Sequence, residues 1–390
     1  MDPIRNQRPP MQYRRFGRTG QRLSVITLGG MRYVNGWSQP RDQVPREMIE
    51  QCMRTVRGAF DAGINHIETA HGYGRSEHCY GQVLNDELRI PRSSYHLMTK
   101  GGPWDASDVR RLVDEQLKGL KTDRIDLWGW HGINTPDIQR HVCAKGGAVE
   151  ELLKLKDEGV IGAVGFSTHG PVDVICAAIG TGLFDFVNLH YYYFFQRNWP
   201  AVVLAAARDM GVFIISPNDK GGQLFNAPKL LRDLTAPLTP IQWNARWCLH
   251  TGLVHTLSFG LNEPAHVDEM RSVFPVSVPL APADLAIEKT LDARVQVDPI
   301  SAWDGHEMMP DPSGINIPEV LRFRRLMRCY DMKDFGLYRY NMLESKGHWF
   351  PGVFATEEAL AKVDVAKAPP GVDVVALLRE THQALYRAKA

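Results

Sequence analysis

The feature that most constrains this chain is a repeated alternation. Between residues 23 and 273, eight short runs rich in Val, Ile, Leu, Phe and Tyr are each followed by a longer run of helical period. The short runs are LSVITLGG (23–30), HIETA (66–70), YHLMTK (95–100), IDLWGWH (125–131), IGAVGFST (161–168), FDFVNLHY (184–191), VFIISP (212–217) and VHTLSFG (254–260). Most are apolar on both faces, as strands of a covered parallel sheet are. Between them, Ile49, Met53, Val56 and Phe60 fall on one helical stripe, and Val109, Leu112, Val113, Gln116, Leu117 and Leu120 on another. Capping signals open SEHC (76–79) and SDVRR (107–111), and the glycines of DAGINH, DEGVIG and DMGVFI stand where a left-handed helix C-cap is wanted. Eight such units in strict order specify an α/β fold, the (β/α)8 TIM barrel. A doubly wound sheet would bring a G-x-G-x-x-G turn after a strand, and the chain has none.

Two additions flank this core. The stretch MQYRRFGRTGQR (11–22) turns at Arg18-Thr19-Gly20 and predicts an N-terminal hairpin ahead of the first barrel strand. Past 274 a proline-rich connector, VFPVSVPLAPAD, leads into helical patterns at 282–292, 317–332, 356–365 and 372–388. The chain therefore reads as a barrel over 1–273 and a helical C-terminal appendage over 274–390. A hydrophobic share of 44% with 23% charged residues supports a large core. The net charge of +1 provides no basic field for nucleic acid. The start, MDPIRNQRPP, is polar and no run approaches eighteen apolar residues, so the expectation is a cytoplasmic protein without a membrane partner. No pattern in the chain sets an oligomeric state. The closest two of the six cysteines, Cys52 and Cys79, are 27 residues apart, which is neither a zinc-ribbon nor a disulfide-scaffold spacing.

The chemistry concentrates in INHIETAHGYGRSEHCYG (64–81), with three histidines, two glutamates, two tyrosines and a cysteine. The stretch does not match H-E-x-x-H, and a strand puts His66 and Glu68 on one face with His71 beyond its end, so no metal site is expected. An acid–base reading fits better. Barrel active sites gather at the C-terminal strand ends. There the sequence places Glu68, His71 and Tyr73, then Lys100, His131, Ser167 and Thr168, then Asn188, His190 and Tyr191, and finally Ser216, Asn218, Asp219 and Lys220. A Tyr, a Lys, a carboxylate and a His suit carbonyl reduction. A phenol supplies the proton that the oxygen needs, and a nearby ammonium held by a carboxylate lowers the phenol pKa. An imidazole donates to the same oxygen and orients it.

These residues resemble the aldo-keto reductase superfamily over about 13–273. The pattern D-T-A-x-x-Y-G is represented by ETAHGYG (68–74) followed by SE (76–77), and the lysine strand by LMTKGG (97–102). DLWGWHG (126–132) resembles the histidine strand, and GFST (165–168) the G-x-S-N cofactor strand. The resemblance implies Tyr73 as proton donor, Lys100 as its tuner, Glu68 as the holder of Lys100 and His131 as the residue orienting the carbonyl. It implies a nicotinamide cofactor bound by Ser167, Thr168 and Asn188, with SPNDKGG (216–222) as the pyrophosphate loop carrying Ser216, Asn218 and Lys220. Lys220 is also readable as a solvated loop lysine. Gly30 and Met31 after the first strand, and Gly260 and Glu269 within SFGLNEPAHVDEM (258–270), complete the implied cofactor set.

Three departures from the pattern stand out. Glu68 replaces an aspartate, so its contact to Lys100 should be rearranged or weakened. Ile215 stands where a ring-stacking tyrosine is expected, with Tyr191 or Tyr192 as substitutes. His266 and Met270 stand where a basic residue and an asparagine would meet a 2′-phosphate. The expected cofactor is NADP, with NAD as the alternative. His190 and the YYYFF run (191–195) are either core aromatics or the lining of a polar, sugar-like substrate site, where His190 and Tyr191 would bind substrate.

The segment PSGINIPEVLRF (312–323) resembles the one just after the cluster cysteines in relatives with ferredoxin-like tails. Here HEMMPD precedes it and Cys329 is alone, so no iron–sulfur cluster is expected. GHWFPG (347–352) reads as a lid or as a packed turn. The reading is an NAD(P)-dependent oxidoreductase interconverting a carbonyl and an alcohol on a small polar or sugar-like molecule. The alternatives are a redox-neutral sugar epimerase or lyase that keeps its NAD(P) bound, and a non-catalytic nucleotide-binding subunit that docks a protein through YRYNMLESKGHWF (338–350).

Overall fold

A computed structural model describes residues 3–33, 40–302, 312–342, 355–366 and 368–387 of the 390-residue chain. Tyr13–Arg15 (β1) and Arg22–Ser24 (β2) form an antiparallel hairpin. Eight strands come next: Ile26–Gly29 (β3), His66–Glu68 (β4), His96–Gly101 (β5), Ile125–His131 (β6), Ile161–Ser167 (β7), Phe186–Leu189 (β8), Gly211–Ile214 (β9) and Thr256–Phe259 (β10). They pair in parallel and close into one barrel as β10 returns to β3, which is the TIM barrel that the alternation specifies.

The first sequence run is split. Leu23 and Ser24 belong to the hairpin, Val25 interrupts the pairing, and the barrel strand begins at Ile26. The hairpin turn inserts Phe16 among Leu23, Met98, Leu127, Ala163, Phe186 and Phe213, all buried. This packing explains a second difference. The glycine of DMGVFI is not a C-cap: Asp209 takes the left-handed conformation, at φ +51°, and Gly211 opens β9. A Cβ at Gly211 would lie 2.6 Å from the Phe16 ring, so the glycine makes room for that ring. Gly63 and Gly159 do take positive φ after their helices.

The helix Arg46–Asp61 buries Ile49, Cys52, Val56 and Ala59, a stripe turned slightly from the expected one, with Met53 and Phe60 at its half-buried margin. The helix Ala106–Leu120 starts ahead of Ser107, with Asp105 at its N-cap, and neither it nor the helix Ser76–Gly81 has a side-chain cap.

The chain divides into two compact units. The first holds the hairpin and all eight barrel strands, over 1–192, 198–217 and 244–280. The second gathers 193–197, 218–243 and 281–390. Its helices include Pro282–Val295, Ile317–Tyr330, Lys333–Tyr340 and Val374–Leu385. Lys333–Tyr340 is a separate helix that the sequence pattern did not mark; Asp331, at φ +59°, ends the preceding helix and turns the chain. No described helix is long and apolar enough to cross a membrane.

Candidate active site

The site lies in the first unit and is assembled from strand ends. Ladder register sets Glu68 of β4 beside Met98 of β5, Lys100 beside Gly129 of β6, and His131 beside Ser167 of β7. Lys100 and Glu68 are buried, 1% and 4% exposed, and form a direct ion pair between Nζ and Oε1. The second carboxylate oxygen, Oε2, accepts from Ser258 Oγ at 2.9 Å. Two glycines give these long side chains their room. A Cβ at Gly129 would come 3.2 Å from Lys100 Cγ, and one at Gly29 would come 2.8 Å from Ser258 Oγ and 3.2 Å from Glu68 Oε2. The extra methylene of Glu68 therefore fits without losing the lysine.

Tyr73 stands in the turn after β4. His71 N–H donates to the Lys100 carbonyl at 2.8 Å, Tyr73 N–H to the Ala70 carbonyl at 3.0 Å, and Ser76 N–H to the Tyr73 carbonyl at 3.1 Å. This tight path requires a left-handed residue, and Gly74 supplies it at φ +55°. The Lys100 ammonium sits 4.8 Å from the centroid of the Tyr73 ring, and His131 meets that ring edge-on at 5.7 Å. Burial pushes the Tyr73 phenol above its ordinary range. The structure thus brings Glu68, Lys100, Tyr73 and His131 into one cluster, with the phenol held in its protonated form at neutral pH.

The expected cofactor residues are spread over several strand ends and connections. Ser167 and Asn188 are register partners at the ends of β7 and β8, both buried. Asn188 Nδ2 donates to the Phe213 carbonyl at 3.3 Å, and Thr168 Oγ1 donates to the Ile133 carbonyl at 2.6 Å. Gly30 is packed against Ser76 and Tyr80, where a Cβ would clash, while Met31 is exposed. Gly260 lies under the stem of Arg32. Glu269 is on the helix Pro264–Arg271, half-exposed, and Met270 beside it is buried. Ser216 lies just past β9 at the unusual φ of +40°. Asn218 and Lys220 belong to the second unit, where burial and Arg339 pull the Lys220 ammonium down to about 7.

The substrate candidates are enclosed. Tyr191 is sandwiched by Trp199 at 5.4 Å and Trp247 at 5.2 Å. His190 is buried, with Nε2 2.5 Å from His169 Nδ1 and Nδ1 on the Tyr192 hydroxyl. Among the described residues no group of three His, Cys, Asp or Glu is arranged to hold a metal. GHWFPG (347–352), most of the 338–350 segment and HEMMPD (306–311) lie outside the described residues.

Three contributors were not singled out from the sequence. Ser258 sits at the end of β10, so the strand-end rule reaches it once the eighth strand is read like the others. Gln116 was read as a helical core position, yet its buried amide donates to Glu77 Oε1 at 2.8 Å and lies 3.1 Å from the Lys100 carbonyl. Arg41 precedes the first barrel helix and gives no local signal.

Fold and site together define a TIM-barrel protein with a Glu–Lys–Tyr–His cluster at the C-terminal strand ends, its Glu68–Lys100 pair buried. The aldo/keto reductase family matches residues 25–223, and the chain belongs to it. L-galactose dehydrogenase of Arabidopsis thaliana is 28% identical over 53% of this chain and 64% of its own length. The 6-dehydroglucose reductase of Novosphingobium aromaticivorans is 34% identical over 34% of this chain and 44% of its own. The chain thus spans about half the length of the curated relatives it matches. A solved aldo-keto reductase of Bacillus halodurans shares the fold at a TM-score of 0.59 and 21% identity, covering 72% of this chain and 96% of that one.

Proposed function

We propose that the protein interconverts a carbonyl and an alcohol on a small polar or sugar-like molecule, with NAD(P) as its cofactor. The observation that carries this reading is the buried Glu68–Lys100 pair set against Tyr73 and His131. Tyr73 moves the proton at the substrate oxygen, His131 orients that oxygen, and Lys100, anchored by Glu68 and Ser258, stabilises phenolate when the proton leaves. Burial raises that phenol, so release of its proton depends on the Lys100 ammonium beside the ring.

The donors present fit a nicotinamide: the Ser167 hydroxyl and the Asn188 amide, side by side and buried, match the acceptor and donor of a carboxamide. When bound, the cofactor supplies or accepts the hydride. NADP is the form we favour, and sugar-like substrates accord with the names of the curated relatives.

In a titration with NADPH and NADH in parallel, quenching of the nine tryptophans should report tight binding, more so for NADPH. Tyr73→Phe should lower kcat about 1,000-fold, within the range of a lost general acid, while NADPH affinity stays near wild type. Full activity in that variant would exclude Tyr73 as the proton donor.

A further inference from the structure

Arg41 reaches the Tyr73 turn from outside the strands and touches it at three points. Its Nε donates to the Gly74 carbonyl at 3.2 Å, its Nη2 donates to Glu77 Oε2 at 2.5 Å, and its Nη1 lies 2.6 Å from Nδ1 of His71. One guanidinium therefore spans residues 71, 74 and 77, on both sides of Tyr73. The planar fork fixes the relative positions of all three, which a point charge on a flexible stem does less well. The neighbouring backbone is tied down as well, since Arg75 Nε donates to the Pro40 carbonyl at 3.2 Å. Burial first, and then Arg41, draw the His71 imidazole down to about 4, so it is the neutral partner that a guanidinium at this distance requires.

Glu77 carries the connection onward to the strand of Lys100. It is 1% exposed; besides Arg41, its carboxylate accepts from Thr99 Oγ1 at 2.6 Å and from Gln116 Nε2 at 2.8 Å. Gln116 Nε2 also lies 3.1 Å from the Lys100 carbonyl, and Gln116 Oε1 accepts from Trp128 Nε1 at 2.7 Å. Thus Arg41 and Glu77 link the turn bearing the phenol to the strand bearing the ammonium through buried, charge-assisted hydrogen bonds, which are shorter and stronger than neutral ones.

We propose that Arg41, acting through Glu77, is a positioning residue for proton transfer, holding Tyr73 in register with Lys100. The proposal rests on the acid–base reading above and adds residues that do not touch the reacting atoms. A displacement of about 1 Å at such a centre costs on the order of 100-fold in rate.

The test compares Arg41→Ala, Arg41→Lys and Glu77→Gln with wild type and Tyr73→Phe in the full chain. It uses a small aldose as the probe carbonyl with NADPH, and a parallel spectrophotometric titration of tyrosinate at alkaline pH. Subtracting the Tyr73→Phe curve isolates the phenol of Tyr73. Arg41→Ala should lower kcat about 10- to 100-fold with KM and NADPH affinity near wild type, and should move the Tyr73 ionisation. Arg41→Lys should recover part of that loss. Wild-type kcat and an unmoved Tyr73 ionisation in Arg41→Ala would overturn the proposal. So would parallel losses in kcat, KM, cofactor affinity and melting temperature, which are those of a structural contact. If Arg41→Ala does not fold, Glu77→Gln, which keeps its side-chain volume and loses its charge, is read by the same criteria. Tyr73→Phe with full activity would sink the acid–base reading itself, whereas a normal Tyr73→Phe loss beside an unaffected Arg41→Ala would sink only the role of Arg41.

Discussion

Each unit of this molecule buries a glutamate against cations, Glu68 in the first and Glu319 in the second, and these two are built differently. In the first, Glu68 holds a single lysine and a serine hydroxyl. In the second, Glu319, fully buried, takes a two-pronged contact from Arg322, at 2.7 and 3.1 Å, and a third from Arg197 at 3.0 Å. Burial would raise the Glu319 carboxyl, but Arg322 and Arg197 hold it below the ordinary range. Arg197 and Arg322 also stand over the Phe195 ring, at 4.4 and 5.1 Å. Arginine keeps its charge in any environment and its fork suits a permanent joint. Lysine responds to burial by giving up its proton, which suits a place where charge must be tuned. The second cluster ties the helix Ile317–Tyr330 to the 193–197 segment, whereas the first sets one lysine beside the Tyr73 ring.

Mutation of the two carboxylates tests that contrast most strongly. Glu319→Gln leaves two buried guanidinia under-compensated and should destabilise the protein by about 3–5 kcal/mol in urea denaturation, equally at pH 7 and pH 9. Glu68→Gln should cost less stability, and its deficit should shrink as pH rises toward 10. There the Lys100 left without its carboxylate is neutral in the unfolded chain as well. A deficit for Glu68→Gln that did not change with pH would mean Lys100 keeps its charge without its partner.

Acid should separate the units next. In the first unit, burial holds His66 well below its ordinary pKa, His96 at about 3 and His255 at about 4. His255 Nδ1 accepts the Val212 N–H at 2.9 Å, which an imidazolium cannot do. These folded-state values lie below the unfolded one. Their stabilisation is therefore complete above about pH 6.5 and is lost as pH falls toward 4, by about 1.4 kcal/mol per pH unit for each histidine. Glu319, lowered in the same sense, should begin to cost stability only below about pH 4.3. Hydrogen exchange at pH 5 should therefore open β4, β5 and β10 before the helix Ile317–Tyr330. The reverse order would contradict the assignment.

The smallest expected effect is at Ser258. Ser258→Ala removes one hydrogen bond to a charged group, about 1.5–3 kcal/mol when fully buried, and kcat should fall several-fold with KM nearly constant.

How much of this was legible beforehand differs by element. The barrel was, because strand and helix periods alternate without interruption and the turn glycines punctuate them. Glu68, Tyr73, Lys100 and His131 were, because a barrel projects its strand ends to one face and that rule needs only the strand assignments. Arg41 and Ser258 were not singled out, for different reasons. Ser258 obeys the same rule but carries no chemistry alone. Arg41 acts from a connection whose direction no local pattern encodes. The break at Asp209–Gly211 was hidden because it answers to Phe16, a residue distant in sequence.

The sequence by itself thus determined the barrel strands, their order and the end of the barrel where chemistry gathers, all of which derive from periodicity and turn preference. Tertiary structure alone decided that 193–197 and 218–243 group with the C-terminal helices, that Glu68 keeps its lysine with the help of Gly29 and Ser258, and that Tyr191 is enclosed between two tryptophans. Those outcomes depend on which side chains meet across long separations in the chain, and on the space that glycines leave between them. Residue order does not state either of these.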